Sequence, residues 1–174
     1  MDIDYAGLYA TDYFAHGTGR TSFTADFHLA VAEFARAQAV AGVLDLAGGN
    51  GELGARLAAL GLVARTFDFR PDPERGIGPI DLTQPVPGEM FSAATEGWDG
   101  PWLTTCLDAL EHIGPRDIWA ALHALNLLAA DWLLATISHR PSSRGNRFHP
   151  SILPPATWVA MFATAGFELV ALDE

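Results

Sequence analysis

Along this 174-residue chain, apolar residues occur in two alternating patterns. In one they recur at the spacing of a helix, and in the other they form short unbroken runs typical of buried strands. Between Thr24 and Gln38 the apolar residues recur at helical spacing, which predicts a helix with Thr24 as its N-cap. Similar helical patterns cover residues 52–60, about 115–130 with Pro115 at its first position, and 155–165.

Short apolar runs lie between these helical patterns and predict strands. They cover residues 43–46, 62–69, 80–82, 101–107, 132–137 and 167–172. Runs that are apolar throughout are typical of strands covered on both faces, as in parallel sheets. The alternation of strands and helices therefore predicts an α/β fold, a three-layer sandwich with a mostly parallel sheet. In such sheets, ligands bind beyond the carboxyl ends of the strands.

Composition and charge narrow the class of protein. A hydrophobic content of 49% fits one packed domain, and a single cysteine, Cys106, excludes an internal disulfide framework. The net charge of −11 disfavours nucleic acid and anionic membranes as partners. We see no signal-peptide pattern and no apolar stretch long enough to span a bilayer, so the expected location is cytoplasmic.

The most informative segment is a glycine-rich run that follows the first predicted strand. Gly49, Gly51 and Gly54 match the spacing of a dinucleotide fingerprint, and Asp68 stands 17 residues after Gly51. A carboxylate at the end of the second strand suits any adenosine-containing cofactor, because it can accept hydrogen bonds from the ribose hydroxyls. Asp45, before the glycines, opposes a pyrophosphate but favours the ammonium and sulfonium of S-adenosylmethionine. Alternatively, Asp45 only caps backbone amides of the loop.

This run resembles the first motif of the class I S-adenosylmethionine-dependent methyltransferases, an acid followed by G-x-G-x-G. Asp45 to Gly51 mirror that motif, except that Ala47 stands where the family usually has its first glycine. Alanine fits there if the residue keeps a negative φ. The resemblance implies a Rossmann-like fold with S-adenosylmethionine as the cofactor.

Three later segments extend the resemblance to residues 43–113. It implies that Asp68 holds the ribose, that Asp81 and its neighbour flank the adenine, and that Asp108 lies beside the reacting methyl group. For Asp108 the alternative is an N-cap of the next turn. The implied cofactor-binding residues are Asp45, Ala47, Gly48, Gly49, Gly51, Asp68, Phe69, Asp81, Leu82 and Asp108.

Candidate catalytic and acceptor residues come from later in the chain. His112, in the Glu-His-Ile end of the fourth motif, can accept a proton from an acceptor, unless it is structural. His149 with Trp158 matches a pattern found in some branches of the family. Three of the ten basic residues crowd into the loop 138–150, which suggests an acceptor with an anionic group, unless the loop is merely solvated. These three are Arg140, Arg144 and Arg147.

The N-terminal segment contains all three tyrosines of the chain. We interpret residues 1–41 as a lid and helix segment in which Tyr13 contacts the acceptor, and residues 42–174 as the cofactor-binding core of one domain. A packed N-terminal extension is the alternative. The histidines lack metal-site spacing with cysteines or acids, so no metal is expected. The family's usual last antiparallel strand is not evident before Glu174, and its absence would expose an edge that a second copy could cover as a homodimer.

The sequence thus favours an S-adenosylmethionine-dependent methyltransferase that acts on a small molecule. One alternative is an NAD(P)-dependent oxidoreductase that uses Gly49, Gly51 and Gly54, although the chain contains no lysine for the Tyr-x-x-x-Lys pair of such enzymes. The other is a non-catalytic module that binds S-adenosylmethionine.

Overall fold

The structure is a computed structural model that describes residues 23–142 and 148–171. Tyr13, Arg144 and Arg147, which the sequence assigned to the acceptor site, lie outside the described residues, as does the proposed lid.

The described residues form one parallel sheet with helices on both faces. The strands are β1 (Gly42–Leu46), β2 (Ala64–Asp68), β3 (Ile77–Pro79), β4 (Trp102–Leu107) and β5 (Trp132–Thr136). They are ordered β3-β2-β1-β4-β5, and every neighbouring pair is parallel. The helices are α1 (Ala25–Ala37), α2 (Glu52–Ala59), α3 (Gly88–Thr95), α4 (Ile118–Leu128) and α5 (Pro155–Thr164). Single 3₁₀ turns cover Pro73–Arg75 and Leu110–His112.

Two apolar cores lie on opposite faces of the sheet, as the alternation of side chains along a strand requires. Val43 of β1 packs with buried residues of α1 and α2, whereas Leu44 and Leu46 pack with α4 and with Trp158 of α5. This arrangement confirms the predicted three-layer α/β sandwich. Thr24 is likewise confirmed as the N-cap of α1, because its hydroxyl accepts a hydrogen bond from the amide of Phe27.

The third strand was predicted at the wrong place. It pairs with β2 at Ile77–Pro79, whereas Ile80 and Leu82 are buried core residues of the following coil. The strand was not predicted because Gly78 and Pro79 are both unfavourable in strands. Gly78 is needed because a Cβ there would lie 2.6 Å from the Phe67 ring, and Pro79 is tolerated because β3 is at the sheet edge.

Three further features differ from the prediction: one missing strand, one helix start and one additional helix. The described residues 167–171 form no strand, and Leu169 and Val170 are 55% and 76% exposed. The fourth helix starts at Ile118 rather than at Pro115, and α3 was not predicted at all. Within the described residues, no helix is long and apolar enough to cross a membrane.

Candidate functional site

The carboxyl edge of the sheet carries the residues that the sequence assigned to the cofactor. The glycine loop follows β1, Asp68 ends β2, and Asp108 follows β4 directly. Because β1 lies between β2 and β4, the topology brings these segments together. This is the edge at which doubly wound parallel sheets bind their ligands.

Asp45 lies inside the sheet, on the face that α2 covers, and is 2% exposed. It is aligned with Thr66 of β2 and Thr105 of β4, and both hydroxyls donate to its carboxylate, at 3.4 Å and 2.8 Å. Burial raises the pKa of Asp45 to about 7, although these two hydrogen bonds act in the opposite direction. The described hydrogen bonds of the Asp45 carboxylate thus come from threonine hydroxyls, and they connect three strands below the loop.

Asp68 fixes the shape of the glycine loop. Its Oδ2 accepts a hydrogen bond from the amide of Gly49 at 2.9 Å, and its Oδ1 accepts one from the amide of Arg70 at 2.9 Å. Burial raises the pKa of Asp68, while the two backbone amides partly oppose that shift. A second amide of the loop region, that of Glu52 at the start of α2, donates to Asn50 Oδ1 at 3.1 Å. The amides of Gly49 and Glu52, which a phosphate would use, are therefore already paired within the protein.

The loop allows little room for side chains. A Cβ on Gly48 would lie 2.3 Å from Asp45 Oδ2 and 2.4 Å from Thr66 Cγ2. Gly49 and Gly51 have φ of 58° and 76°, in the left-handed region. Ala47 has φ of 54°, so the condition under which alanine fits at this position, a negative φ, is not met. The backbone keeps the conformation that a glycine would favour at this position, and the alanine is strained in it.

The predicted adenine-flanking residues lie in the coil after β3. Leu82 is 5% exposed and belongs to the core that packs against α4. Asp81 is exposed, and its Oδ1 accepts from the amide and the hydroxyl of Thr83, at 2.9 Å and 2.7 Å. Phe69 is half-buried directly after β2. Of these three, Asp81 and Phe69 thus have surface that a ligand can reach.

Asp108 joins the ends of β4 and β5. Its amide donates to the carbonyl and the hydroxyl oxygen of Thr136, both at 3.0 Å, and that hydroxyl lies 3.1 Å from Asp108 Oδ1. With φ of 47°, Asp108 turns the chain sharply out of the strand, a conformation that aspartate tolerates better than most residues. The turn leads straight into the Leu110–His112 segment.

The two predicted catalytic histidines come together in space. The rings of His112 and His149 are 4.6 Å apart between centroids and perpendicular, at 89°. One ligand atom of each histidine and one carboxylate oxygen of Glu111 all lie within 4.8 Å of one another. We call these three residues the Glu–His–His cluster.

Hydrogen bonds to the chain around residue 150 hold the Glu–His–His cluster together. The Ser151 amide donates to the Glu111 carbonyl at 3.2 Å, and the Ser151 hydroxyl donates to the carbonyl of Ile113. His149 Nδ1 lies 2.7 Å from the carbonyl oxygen of Arg140. The backbone before His149 is fixed as well, because Phe148 is buried and its backbone is hydrogen-bonded to the ring of His112.

Burial governs the charge state of this cluster. It raises the pKa of Glu111 to about 7 and lowers the pKa of His112 to about 4, in the second case helped by the neighbouring His149. His112 is therefore a neutral imidazole at pH 7, in which one ring nitrogen carries a lone pair. Arg140, the described arginine of the late loop, has an exposed side chain and contributes its carbonyl to His149.

Sequence reasoning missed the residues that support the site. Thr66 and Thr105 align with Asp45 across three strands, and Ser138 and Ser151 bond to Glu111 from distant positions. A search for polar residues inside otherwise apolar strands would have found the two threonines. For the two serines, no pattern along the chain signals a contact with Glu111.

Comparisons with known proteins support the fold. No protein-family model matches the chain, and no curated protein sequence matches it either. Among solved structures, it is similar to an O-methyltransferase family protein from Burkholderia thailandensis, with a TM-score of 0.53 and 16% identity. The similarity covers 92% of this chain and 57% of that protein, so the chain spans little more than half of the neighbour's length. The likeness shows a shared Rossmann-like α/β fold.

Proposed function

We propose that the protein is a methyltransferase that uses S-adenosylmethionine to methylate a small molecule. The observation that carries this proposal is the pairing of the glycine-loop amides, since the Gly49 amide is bonded to Asp68 and the Glu52 amide to Asn50, rather than open to the phosphates of a dinucleotide. S-adenosylmethionine has no phosphate and does not need these amides. The fold of a protein from an O-methyltransferase family supports the same choice.

The alternative of an NAD(P)-dependent oxidoreductase is less compatible with the loop. A dinucleotide site presents free backbone amides at the N-terminus of the helix that follows the glycines. Here the Gly49 amide is bonded to Asp68 and the Glu52 amide to Asn50. Binding a diphosphate through these two amides would require breaking both hydrogen bonds.

In the proposed site, the protein would shape the pocket and orient the ligands, while the cofactor supplies an electrophilic methyl group bonded to a sulfonium. Asp68 would hold the ribose, because each carboxylate oxygen that accepts an amide keeps a second lone pair. Gly48 and Gly49 would let the ligand approach the backbone, and Asp81 and Phe69 would lie along its adenine. Methyl transfer depends mainly on alignment of the acceptor, so we expect residues after β4 and β5 to do most of the positioning.

On the acceptor side, we propose a small molecule that carries an anionic group. His112 and His149 would face its reactive atom, which the family name of the structural neighbour suggests is an oxygen. Arg140, with the loop arginines Arg144 and Arg147 and with Tyr13, would bind the anionic group and the body of the acceptor.

Thermal unfolding in the presence of cofactors tests this proposal. S-adenosylhomocysteine should raise the melting temperature, and NADH should not, because only a ligand that binds the folded state stabilises it. The Asp68→Asn variant keeps the shape of the side chain but removes the charge and one of the two oxygen acceptors, and should bind S-adenosylhomocysteine roughly tenfold more weakly, which is about 1.4 kcal/mol. Asp99→Asn, an exposed carboxylate before the amino end of β4, should bind as the wild type does.

Other outcomes would decide for the alternatives. Stabilisation by NADH and none by S-adenosylhomocysteine would establish the oxidoreductase. Binding of S-adenosylhomocysteine with no methylated product from S-adenosylmethionine across a panel of carboxylated phenols, amines and hydroxy acids would favour a non-catalytic module.

A further inference from the structure

We propose that the Glu–His–His cluster binds a divalent first-row transition metal ion of the class of Zn²⁺ and Mn²⁺. The ligands would be one carboxylate oxygen of Glu111 and one ring nitrogen each of His112 and His149. This inference departs from the prediction of no metal, which considered only spacing along the chain. It stands independently of methyl transfer.

Glu111 provides the first argument, because half of its carboxylate is unsatisfied. The side chain is 0% exposed, and Oε1 accepts a hydrogen bond from the Ser138 amide at 2.9 Å. Oε2 is buried and has no hydrogen-bond partner. Buried polar atoms almost always have partners, and a carboxylate oxygen without one is costly. A cation between Glu111 and the two histidines would satisfy this oxygen.

The two histidines provide the second argument, because each is oriented as a metal ligand is. His149 Nδ1 lies 2.7 Å from the Arg140 carbonyl, so it carries the proton and leaves Nε2 with a lone pair. The ring of His112 is hydrogen-bonded to the backbone of Phe148, and one of its nitrogens lies within 4.8 Å of the other two ligand atoms. Histidines that bind metals commonly donate their second ring N–H to a backbone carbonyl in this way.

Distances and donor types indicate which ion fits. Atoms that ligate one ion at about 2.1 Å lie no more than about 4.2 Å apart. The three ligand atoms lie within 4.8 Å of one another, so small side-chain rotations would close the site. Two imidazoles with one carboxylate favour zinc, manganese, iron or cobalt, whereas calcium and magnesium prefer oxygen ligands alone.

The position of the cluster is suitable for a metal ion that takes part in catalysis. It follows β4 at the carboxyl edge of the sheet, and the Asp108 carboxylate is close enough to act electrostatically on both Glu111 and His112. Three protein ligands leave coordination positions open, as in catalytic rather than structural metal sites. Water would fill these positions, or an oxygen of the acceptor if the proposed function holds.

Calorimetric titration of the chelator-treated protein with ZnCl₂ and with MnCl₂ tests the site. We expect one ion per chain, with affinity at least about tenfold weaker in His149→Ala and in Glu111→Gln. His123→Ala, which removes an exposed histidine of α4, should leave binding unchanged. Equal affinity in wild type, His149→Ala and Glu111→Gln would overturn the proposal, as would tighter binding of CaCl₂ or the lack of any saturable site.

Stability gives a second readout that needs neither cofactor nor acceptor. Glutamine at position 111 keeps an oxygen for the Ser138 amide and removes the buried negative charge, so metal-free Glu111→Gln should melt at or above the wild-type temperature. Zinc should raise the melting temperature of the wild type but not that of Glu111→Gln. A full zinc-induced rise in this variant would exclude the cluster as the site. His149→Ala provides the same comparison should the glutamine variant fail to fold.

Discussion

The glycine loop after β1 and the Glu–His–His cluster after β4 lie at the same edge of the sheet but differ in how their polar groups are paired. In the loop region, both oxygens of Asp68 and both oxygens of Asp45 have partners within the protein. In the cluster, Glu111 keeps one buried oxygen without a partner. The Asp45 and Asp68 carboxylates of the loop region are therefore fully paired within the folded chain, whereas the Glu111 carboxylate of the cluster is not.

This difference separates the expected effects of mutation. A substitution in a region whose polar groups are all paired removes native contacts and lowers the free energy of unfolding. A substitution that removes an unsatisfied buried group costs little or stabilises the protein, while any function of that group is lost. Substitutions in the loop should thus lower stability in addition to any effect on cofactor binding, whereas those in the cluster should act mainly on ligand binding.

Among these variants, Asp45→Asn should change the free energy of unfolding most. The size of this change should depend on pH. Burial raises the pKa of Asp45 from 3.8 to about 7, so the folded protein retains a proton that the unfolded chain releases in this range. The stability that Asp45 contributes is therefore complete below pH 3.8 and lost as the pH rises to about 7. The whole change is on the order of 4 kcal/mol. Urea unfolding of wild type and variant from about pH 4 to pH 8 measures it.

Comparing the two proteins at each pH isolates Asp45 from the other groups. Asp68 and Glu111, with raised pKa values, act in the same direction, whereas the lowered pKa of His112 makes its contribution rise with pH. These groups titrate in both proteins, so their contributions cancel in the difference apart from the charge of Asp68, which itself raises the pKa of Asp45. Asp99→Asn should stay parallel to the wild type. Parallel curves for Asp45→Asn as well would mean that Asp45 is ionised in the folded protein at low pH.

Gly48→Ala should be the next largest effect, because it tests how tightly the loop is packed onto Asp45. The added Cβ would lie 2.3 Å from Asp45 Oδ2 and 2.4 Å from Thr66 Cγ2, and both side chains are buried. Overpacking of this kind should cost roughly 3 kcal/mol in the free energy of unfolding. Gly88→Ala is the matched control, since a Cβ there meets nothing within 4 Å.

The control should change stability by less than about 1 kcal/mol, with stabilisation the expected sign at this helix start. Equal losses in Gly48→Ala and Gly88→Ala would contradict the close packing of loop and strand. In that case the loop would be as adaptable as the cluster, and the contrast between the two regions would disappear.

The loop was readable in the sequence because its determinants are local. A buried apolar run, three glycines and an acid at the end of the next strand stand at spacings fixed by one strand-turn-helix unit. The same locality explains why β1, β2, β4 and β5 were predicted within two residues of their observed ends. Strand β3 was missed because its pairing rests on the fit of Gly78 against the Phe67 ring, a tertiary contact.

The Glu–His–His cluster could be predicted only in part from the sequence, because its residues are far apart along the chain. His112 and His149 were each predicted, but nothing along the chain shows that their rings are 4.6 Å apart. Their meeting depends on the hydrogen bonds from Ser151 to the Glu111 and Ile113 carbonyls, which bring the later segment onto the 3₁₀ turn. A search for ligand spacing along the sequence therefore could not find the cluster.

Ala47→Gly should give the smallest effect, an increase of about 0.5–1 kcal/mol in the free energy of unfolding. Ala47 has φ of 54°, and glycine relieves the strain of this conformation while making the unfolded chain more flexible. Ala39→Gly, at φ of 50°, should behave in the same way, whereas Ala55→Gly in the exposed part of α2 should lose about 0.5–1 kcal/mol. Chemical denaturation of the three variants measures these values. A loss in Ala47→Gly would show that its methyl group packs well enough to outweigh the strain.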